Sequence, residues 1–231
     1  MFSLIILAGG FGTRLDSISK GKPKSLMPVG NSVYLDLLLD KVFKFRIKHV
    51  YLSLHYEAQI FQEYLKSSLH KKNISTIIEP VPLGTGGAIK YVLENSNLSS
   101  PFFVINGDTI SDTNLDEMLD DFLIKKLIAM IAVSKVENSD RYGTVLHKGG
   151  RVLSFQEKGA LGPSWVNNGH YVFSKEAFGY NDNAFSLEND LFPLLIKDKE
   201  LGLFKVVDDN FIDMGIPEDY HRLCNDYMES K

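Results

Sequence analysis

The sequence predicts an α/β fold, and three observations predict it. Strand-like apolar runs alternate with helix-like ones through the first half of the chain, the pattern of a sheet layered with helices. The length of 231 residues suits one large α/β domain, or a core with a small lobe. Hydrophobic content of 44% and charged content of 23% are ordinary for a chain that buries a sizeable core.

The elements follow in order. Phe2 to Leu7 is an apolar run read as a buried strand. Tyr34 to Phe45 places apolar residues at helical spacing. His49 to Leu54 reads as a strand, Glu57 to Leu69 as a helix and Ile74 to Ile78 as a third strand. Gly87 to Glu94 reads as a helix. Pro101 to Ile105 reads as a fourth strand, ending in Asn106-Gly107-Asp108. Leu115 to Lys125 is expected to be helical and Leu127 to Val133 a strand. The rhythm then changes. Tyr142 to Leu146, Val152 to Glu157 and His170 to Phe173 are short strands with turn residues between them, as in a meander or a small inserted β lobe. Glu188 to Ile196 reads as a helix, Leu203 to Val207 as a strand, and Pro217 to Met228 as a helix with proline in its first turn.

Composition narrows the function classes. The net charge is -4, from 25 basic and 29 acidic residues, so nothing calls for nucleic acid or a membrane surface as partner. The single cysteine, Cys224, excludes an internal disulfide and a cysteine metal cluster, and reads as an inert thiol. No run approaches the ~20 apolar residues of a membrane span, and Leu4 to Ala8 is too short for a secretory leader. A cytoplasmic location is the expectation. No internal or hexapeptide repeat stands out. Residues 1–231 are read as a single domain of two halves, over about 1–110 and about 111–231.

The most informative stretch is Leu7-Ala8-Gly9-Gly10-Phe11-Gly12-Thr13-Arg14-Leu15, followed by Pro23-Lys24-Ser25-Leu26. Glycines after a strand let backbone N–H groups approach phosphate oxygens, and the two cations neutralise charge that backbone dipoles cannot. The stretch is not a Walker A loop, because no Lys-Ser or Lys-Thr pair follows the last glycine at the right spacing. It is not the dinucleotide fingerprint, because Arg14-Leu15 stands where a third glycine belongs. A bland structural turn would not need Arg14 and Lys24.

Ligands gather at the carboxyl ends of strands in open α/β sheets. Glu79 to Gly87 follow the third strand, Asn106-Gly107-Asp108 the fourth, and Asp213 sits in Phe211-Ile212-Asp213-Met214-Gly215. Asp108 and Asp213 are candidates to hold one Mg²⁺, a hard cation that takes one or two carboxylates plus phosphate oxygens. Taken singly, an aspartate after a strand is more often a turn residue than a ligand, and it is the surrounding segments that reverse this. The loop Glu79-Pro80-Val81-Pro82-Leu83-Gly84-Thr85-Gly86-Gly87 is, by residue types alone, either a second ligand loop or a stiff proline loop before a helix.

Taken together, these segments resemble the sugar-1-phosphate nucleotidyltransferases, or NDP-sugar pyrophosphorylases, along nearly the whole chain. The matched segments are the glycine loop, Pro23 to Leu26, Pro82-Leu83-Gly84-Thr85-Gly86, Asn106-Gly107-Asp108, Glu157-Lys158 and Phe211 to Gly215. The resemblance implies a Rossmann-like three-layer sandwich with a mixed, mostly parallel central sheet. It implies that Leu7, Ala8, Gly9, Gly10, Gly12, Thr13, Glu79, Pro82, Gly84, Thr85 and Gly107 bind the nucleotide. Arg14 and Lys24 would be the catalytic cations, Arg14 on the β- and γ-phosphates and Lys24 on the α-phosphate and the sugar phosphate. Gly143, Glu157, Lys158 and Asn167 would line the sugar pocket, and Asp108 and Asp213 would hold Mg²⁺. Gly159 stands where the family usually has proline, which loosens that turn. Members of this short type are often homodimers, and no interface stripe stands out in the sequence.

The implied reaction is in-line attack of a sugar 1-phosphate oxygen on the α-phosphorus of a nucleoside triphosphate, with pyrophosphate leaving. The nucleophile is already ionised at neutral pH, so no general base is required. His147, His170 and the other histidines accordingly read as surface or packing residues. Glu79 occupies a position where thymidylyl and uridylyl relatives place glutamine. A carboxylate only accepts hydrogen bonds. Guanine offers N1–H and its N2 amine side by side, whereas uracil and thymine flank N3–H with carbonyls. GTP is therefore the expected donor. A manno-configured sugar 1-phosphate, heptose or mannose, is the leading acceptor, and UTP with an amino-sugar 1-phosphate is the third reading. A sugar-nucleotide-binding regulatory paralogue is the non-enzyme alternative.

Overall fold

The computed structural model describes residues 1–10, 21–156, 162–179 and 184–229. Strand β1 (Phe2–Leu7) starts the sheet. A tight turn over Lys24–Leu26 leads to a small hairpin of β2 (Pro28–Val29) and β3 (Ser32–Val33), then helix α1 (Tyr34–Val42). Next come β4 (Ile47–Leu54), α2 (Ala58–Ser67), β5 (Ile74–Ile78), α3 (Gly84–Glu94), β6 (Phe102–Asn106), β7 (Thr109–Ile110) and α4 (Leu115–Lys125). The chain continues through β8 (Ala129–Val136), β9 (Thr144–Lys148), β10 (Arg151–Gln156) and β11 (Ser164–Phe173). A π turn (Leu187–Leu191) runs into α5 (Phe192–Lys197), followed by β12 (Leu201–Val206), β13 (Ile212–Asp213) and α6 (Pro217–Glu229).

One nine-stranded sheet runs in the order β5-β4-β1-β6-β11-β8-β12-β10-β9. β5, β4, β1 and β6 are mutually parallel, β11 is antiparallel to β6 and β8, and β12 is parallel to β8. β10 is antiparallel to both β12 and β9. Among the described strands of this sheet only β10 and β11 run against the rest, so the sheet is mixed and mostly parallel. The meander expected after Val133 divides. β9 and β10 form the far edge of the main sheet, and β11 is a central strand.

The central strands β1 and β6 are almost wholly buried because helices cover both faces of the sheet there, whereas the edge strand β5 is only half-buried and carries Ser75 and Thr76. Leu4 and Ile6 of β1 pack with α1, α2, α4 and α6 in one core. Ile5 points the other way and packs with α3 and α5 in a second core, with Phe173 and Phe192. Three layers result, helices on either side of the sheet. Helix α4 is capped as its composition asks: the Asn114 side-chain oxygen accepts from the backbone N–H groups of Asp116 and Glu117 at 3.2 Å each.

Most boundaries shift by a few residues from the sequence expectation, and three differences have a clear bearing on the site. Helix α3 begins at Gly84 rather than Gly87, because Phe185 packs onto its first turn: its carbonyl accepts from the N–H groups of Gly86 and Gly87 at 2.9 and 3.2 Å. β11 begins at Ser164 rather than His170, and its register shifts between Asn167 and Tyr171. The run from Glu188 to Ile196 is a π turn followed by an α-helix, not one helix.

His170 sits in β11, almost wholly buried, its Nδ1 3.2 Å from the Asn168 carbonyl. Burial pushes its pKa from 6.5 down to about 4, against smaller upward pulls from the Asn168 backbone and then Asp209. The neutral ring is therefore what the fold accommodates, and the unfolded chain binds a proton that the folded one refuses. Stability should be full above pH 6.5 and fall by about 3 kcal/mol as the pH drops to 4. Denaturant titrations at pH 7 and pH 4 check this, and His170→Gln should flatten that part of the slope. An unchanged slope in the variant would reassign it to other groups.

Candidate active site

One cleft opens at the carboxyl ends of β1, β4, β5 and β6, a second lies beside it against the latter half of the chain, and they share the turn after β6. The first, of about 450 Å³, is lined by Leu7, Ala8, Gly9, Gly10, Lys24, Glu79, Pro82, Gly84, Thr85, Gly107 and Asp108, among others. The second, of about 1330 Å³, is lined by Gly143, Asn167 and Asp213, with Tyr142, Gln156 and Glu188. Asn106 and Asp108 line both. Every described residue expected to touch the nucleotide therefore lines the first cleft. Gly143 and Asn167, expected to touch the sugar, line the second. Phe11, Gly12, Thr13, Arg14 and Leu15 lie outside the described residues, as do Glu157, Lys158 and Gly159.

The first cleft is built from close backbone crossings. The Gly107 N–H donates to the Leu7 carbonyl at 2.9 Å, and a Cβ on Gly107 would stand 2.6 Å from that same oxygen. Gly9 packs against β4, where a Cβ would meet the His55 nitrogen at 2.9 Å. Both glycines are thus required by protein packing. At Gly10 a Cβ would meet no atom of the described residues within 4 Å, so no packing among them requires this glycine. Gly84 takes φ +71°, and a Cβ there would lie 2.7 Å from the Phe185 carbonyl oxygen.

Glu79 closes the cleft floor at 7% exposure. One carboxylate oxygen accepts from the Ser53 hydroxyl at 3.0 Å and the other from the Leu83 N–H at 3.2 Å. Its backbone is held as well, with its N–H donating to the Leu54 carbonyl at 2.8 Å and its carbonyl 3.1 Å from His55 Nδ1. A carboxylate has about four lone-pair sites, so each oxygen keeps one for a ligand.

Charge concentrates at the shared turn. Lys24 Nζ lies 3.6 Å from Asp108 Oδ2 and is largely buried. The Ser25 hydroxyl donates to the Gly107 carbonyl at 2.6 Å, which ties the lysine's segment to the Asp108 turn. β13 pairs antiparallel with β7, setting Asp213 opposite Thr109, and the Met214 N–H donates to the Asp108 carbonyl at 2.8 Å. The Gly215 N–H donates to Asp213 Oδ1 at 2.7 Å. A Cβ on Gly215 would lie 2.8 Å from that oxygen and 3.3 Å from Lys24 Nζ, so this glycine lets the lysine and the Asp213 turn pack closely. Below them the buried Tyr34 hydroxyl finds no hydrogen-bond partner among the described residues. Its pKa is raised, first by burial and then by the negative charges of Asp108 and Asp213. The local potential is negative and the donors are oxygens, which fits a hard cation completed by phosphate oxygens. Among the described residues no group of three or more His, Cys, Asp or Glu could hold a metal unaided.

In the second cleft the Asn167 side-chain amide donates to the Tyr171 hydroxyl and to Glu188, both at 3.0 Å, and its oxygen accepts from the Gly169 N–H at 3.1 Å. Sequence reasoning did not single out His55, Tyr142, Gln156 or Glu188. Each stands alone at a strand end or turn, without a motif around it. For Glu188 the available signal is structural: π turns are frequent at functional sites. No helix among the described residues is long and apolar enough to cross a membrane.

Comparison with known proteins agrees with this layout. The nucleotidyl transferase family model matches residues 3–230. The chain is 37% identical to D-glycero-alpha-D-manno-heptose 1-phosphate guanylyltransferase of Campylobacter jejuni, over 96% of this chain and 98% of that one. It is 31% identical to the mannose-1-phosphate guanylyltransferase catalytic subunit beta of Dictyostelium discoideum, over 98% of this chain and 64% of that longer one. The solved structure of HddC from Yersinia pseudotuberculosis complexed with GMP-PN superposes with a TM-score of 0.88 at 33% identity, covering 98% of this chain and 100% of that one. The chain belongs to the nucleotidyl transferase family.

Proposed function

We propose that this protein transfers GMP from GTP to D-glycero-α-D-manno-heptose 1-phosphate, giving GDP-heptose and pyrophosphate, a cytoplasmic step that supplies surface polysaccharide synthesis. The observation that carries the reading is the pair of clefts meeting at Asn106 and Asp108, with Lys24 at their junction. One cleft takes the nucleotide and the other the sugar, and their phosphates meet at the lysine. The C. jejuni relative, matched over nearly its whole length, supports heptose as the sugar. Mannose 1-phosphate is the second reading, supported by the D. discoideum relative.

The chemical task is to bring two polyanions together. A phosphate monoester has its second pKa near 6, so the sugar phosphate arrives as a competent nucleophile at neutral pH. The protein then aligns and neutralises. Gly10 leaves room for phosphate to approach the backbone, and Arg14 grips the β- and γ-phosphates. Lys24 bridges the α-phosphate and the incoming sugar phosphate as the P–O bond forms on one side and breaks on the other. Asp108 and Asp213 would hold Mg²⁺, which when bound supplies positive charge to the triphosphate. Gly143, Glu157, Lys158 and Asn167 orient the sugar. Glu79 accepts from guanine N1–H and the N2 amine with the lone pairs left by Ser53 and Leu83.

A pyrophosphate-release assay crossing GTP, ATP, UTP and dTTP with heptose, mannose and glucosamine 1-phosphates tests the reading. Turnover with GTP and the heptose phosphate should exceed every other pair. A preference for UTP, or for the amino sugar, would overturn it. Glu79→Gln should lower kcat/KM for GTP by roughly 10- to 100-fold, the worth of a charged hydrogen-bonded pair, and relax discrimination against UTP. Unchanged ratios across the four triphosphates would remove Glu79 from base recognition.

A further inference from the structure

Behind the two acids lies a buried polar cluster that the reaction does not use. Ser111, Thr113, Ser134 and Asn168 are each no more than 2% exposed. Buried hydroxyls and amides are costly unless bonded, and these are bonded to one another. The Asn168 side-chain amide donates toward Ser111, Thr113 and Ser134 at 3.0, 3.1 and 2.9 Å. The set converges on one carboxylate, Asp209. Its Oδ2 accepts from the hydroxyls of Ser111, at 2.7 Å, and Ser134, and its Oδ1 accepts from the Asp112 N–H at 2.5 Å. Asn210 returns the contact, donating its N–H and side-chain amide to Asp112 at 3.3 and 2.9 Å. Lys41 pairs with Asp112 from the other side.

The placement of these bonds gives them a purpose. β7 and β13 carry Thr109 and Asp213, yet the ladder between them is two residues long. An isolated pair of strands so short is not stable in water. Asp209 lies four residues before Asp213, and Ser111 three residues after Asp108. The carboxylate therefore clamps together the two segments whose acids must face one ion, and Ser134 fastens both to β8 of the main sheet. Asn168 adds the second cleft. Neighbouring side chains on a strand point to opposite faces, so anchoring Asn168 inward aims Asn167 outward. The kink beside them is tight: Gly169 takes φ +81°, and a Cβ there would meet Thr109 and Asn106 at 2.6 and 2.8 Å.

We propose that Asp209 is a positioning residue whose carboxylate, through Ser111, Ser134 and Asn168, sets the separation of Asp108 and Asp213 and the aim of Asn167. The proposal rests on the reading of Asp108 and Asp213 as the Mg²⁺ ligands. Its test is Mn²⁺ binding to the complex with a non-hydrolysable GTP analogue, followed by electron paramagnetic resonance, for the wild type, Asp209→Asn and Ser134→Ala. Asp209→Asn should weaken Mn²⁺ binding about tenfold, as disturbed support of metal ligands does. Ser134→Ala should weaken it less, and saturating Mg²⁺ should restore kcat in both. A general loss of structure would not be rescued by the ion. Should Asp209→Asn fail to fold, Ser134→Ala decides alone. Folded variants that bind Mn²⁺ as the wild type does would overturn the proposal while leaving the enzyme reading intact. A wild type that binds no Mn²⁺ with nucleotide present would remove the assignment of Asp108 and Asp213, and this proposal with it.

Discussion

Lys24→Ala is expected to lower kcat/KM about 10³-fold with the fold intact, the loss seen when one well-placed donor to developing phosphoryl charge is removed. Among the described residues Lys24 is the only lysine or arginine lining the nucleotide cleft. It is largely buried, so its charge is poorly screened by solvent. Removing it would leave Asp108 without its ion-pair partner and would take away the cation proposed for the α-phosphate and the sugar phosphate. The effect should fall on kcat and on the KM for the sugar phosphate, because in the proposed reaction the lysine meets both substrates only when both are present. Lys24→Arg should recover little, since a planar fork cannot occupy the place of a compact ammonium held between Asp108 and Gly215. Steady-state pyrophosphate release, with circular dichroism as the fold control, measures this. A loss smaller than tenfold would take Lys24 out of the reaction.

Asp108→Asn and Asp213→Asn should each lose about 10²-fold or more in turnover at fixed Mg²⁺, because an amide oxygen is a weak replacement for a carboxylate on a hard cation. Neither change should cost the fold much. The Asp108 carbonyl that accepts from the Met214 N–H is backbone and survives, and an asparagine oxygen at 213 still accepts from the Gly215 N–H. With both acids on one ion, as proposed, the double variant should be little worse than the poorer single one. Additive losses, or near-normal activity in either single variant, would show that the two do not share a ligand.

The sequence displayed the parallel half of the sheet clearly because its physics is local. β1 and β6 are short apolar runs buried on both faces, and β4 and β5, toward the sheet edge, keep enough Val, Ile and Leu to read as strands despite Lys48, Ser75 and Thr76. The first cleft was legible for the same reason: Gly9, Gly107 and Gly84 are dictated by backbone crossings that only glycine allows. The start of β11 was hidden because Asn167-Asn168-Gly169 breaks the apolar alternation. One asparagine faces a cleft and the other the Asp209 cluster, so both polar residues are satisfied by partners far away in the chain. The first turn of α3 was hidden because Gly84-Thr85-Gly86-Gly87 has poor intrinsic helix propensity. Phe185, a hundred residues on, supplies the missing support.

The turn at Asn106 and Asp108 that both clefts share also bears on inhibitor design. A guanosine fragment and a sugar fragment joined through a pyrophosphate isostere would straddle it as one molecule. The second fragment then docks at the high local concentration set by its tether and gives up little additional translational freedom. Such a tethered compound should outbind the sum of its parts, with Lys24 beneath the tether.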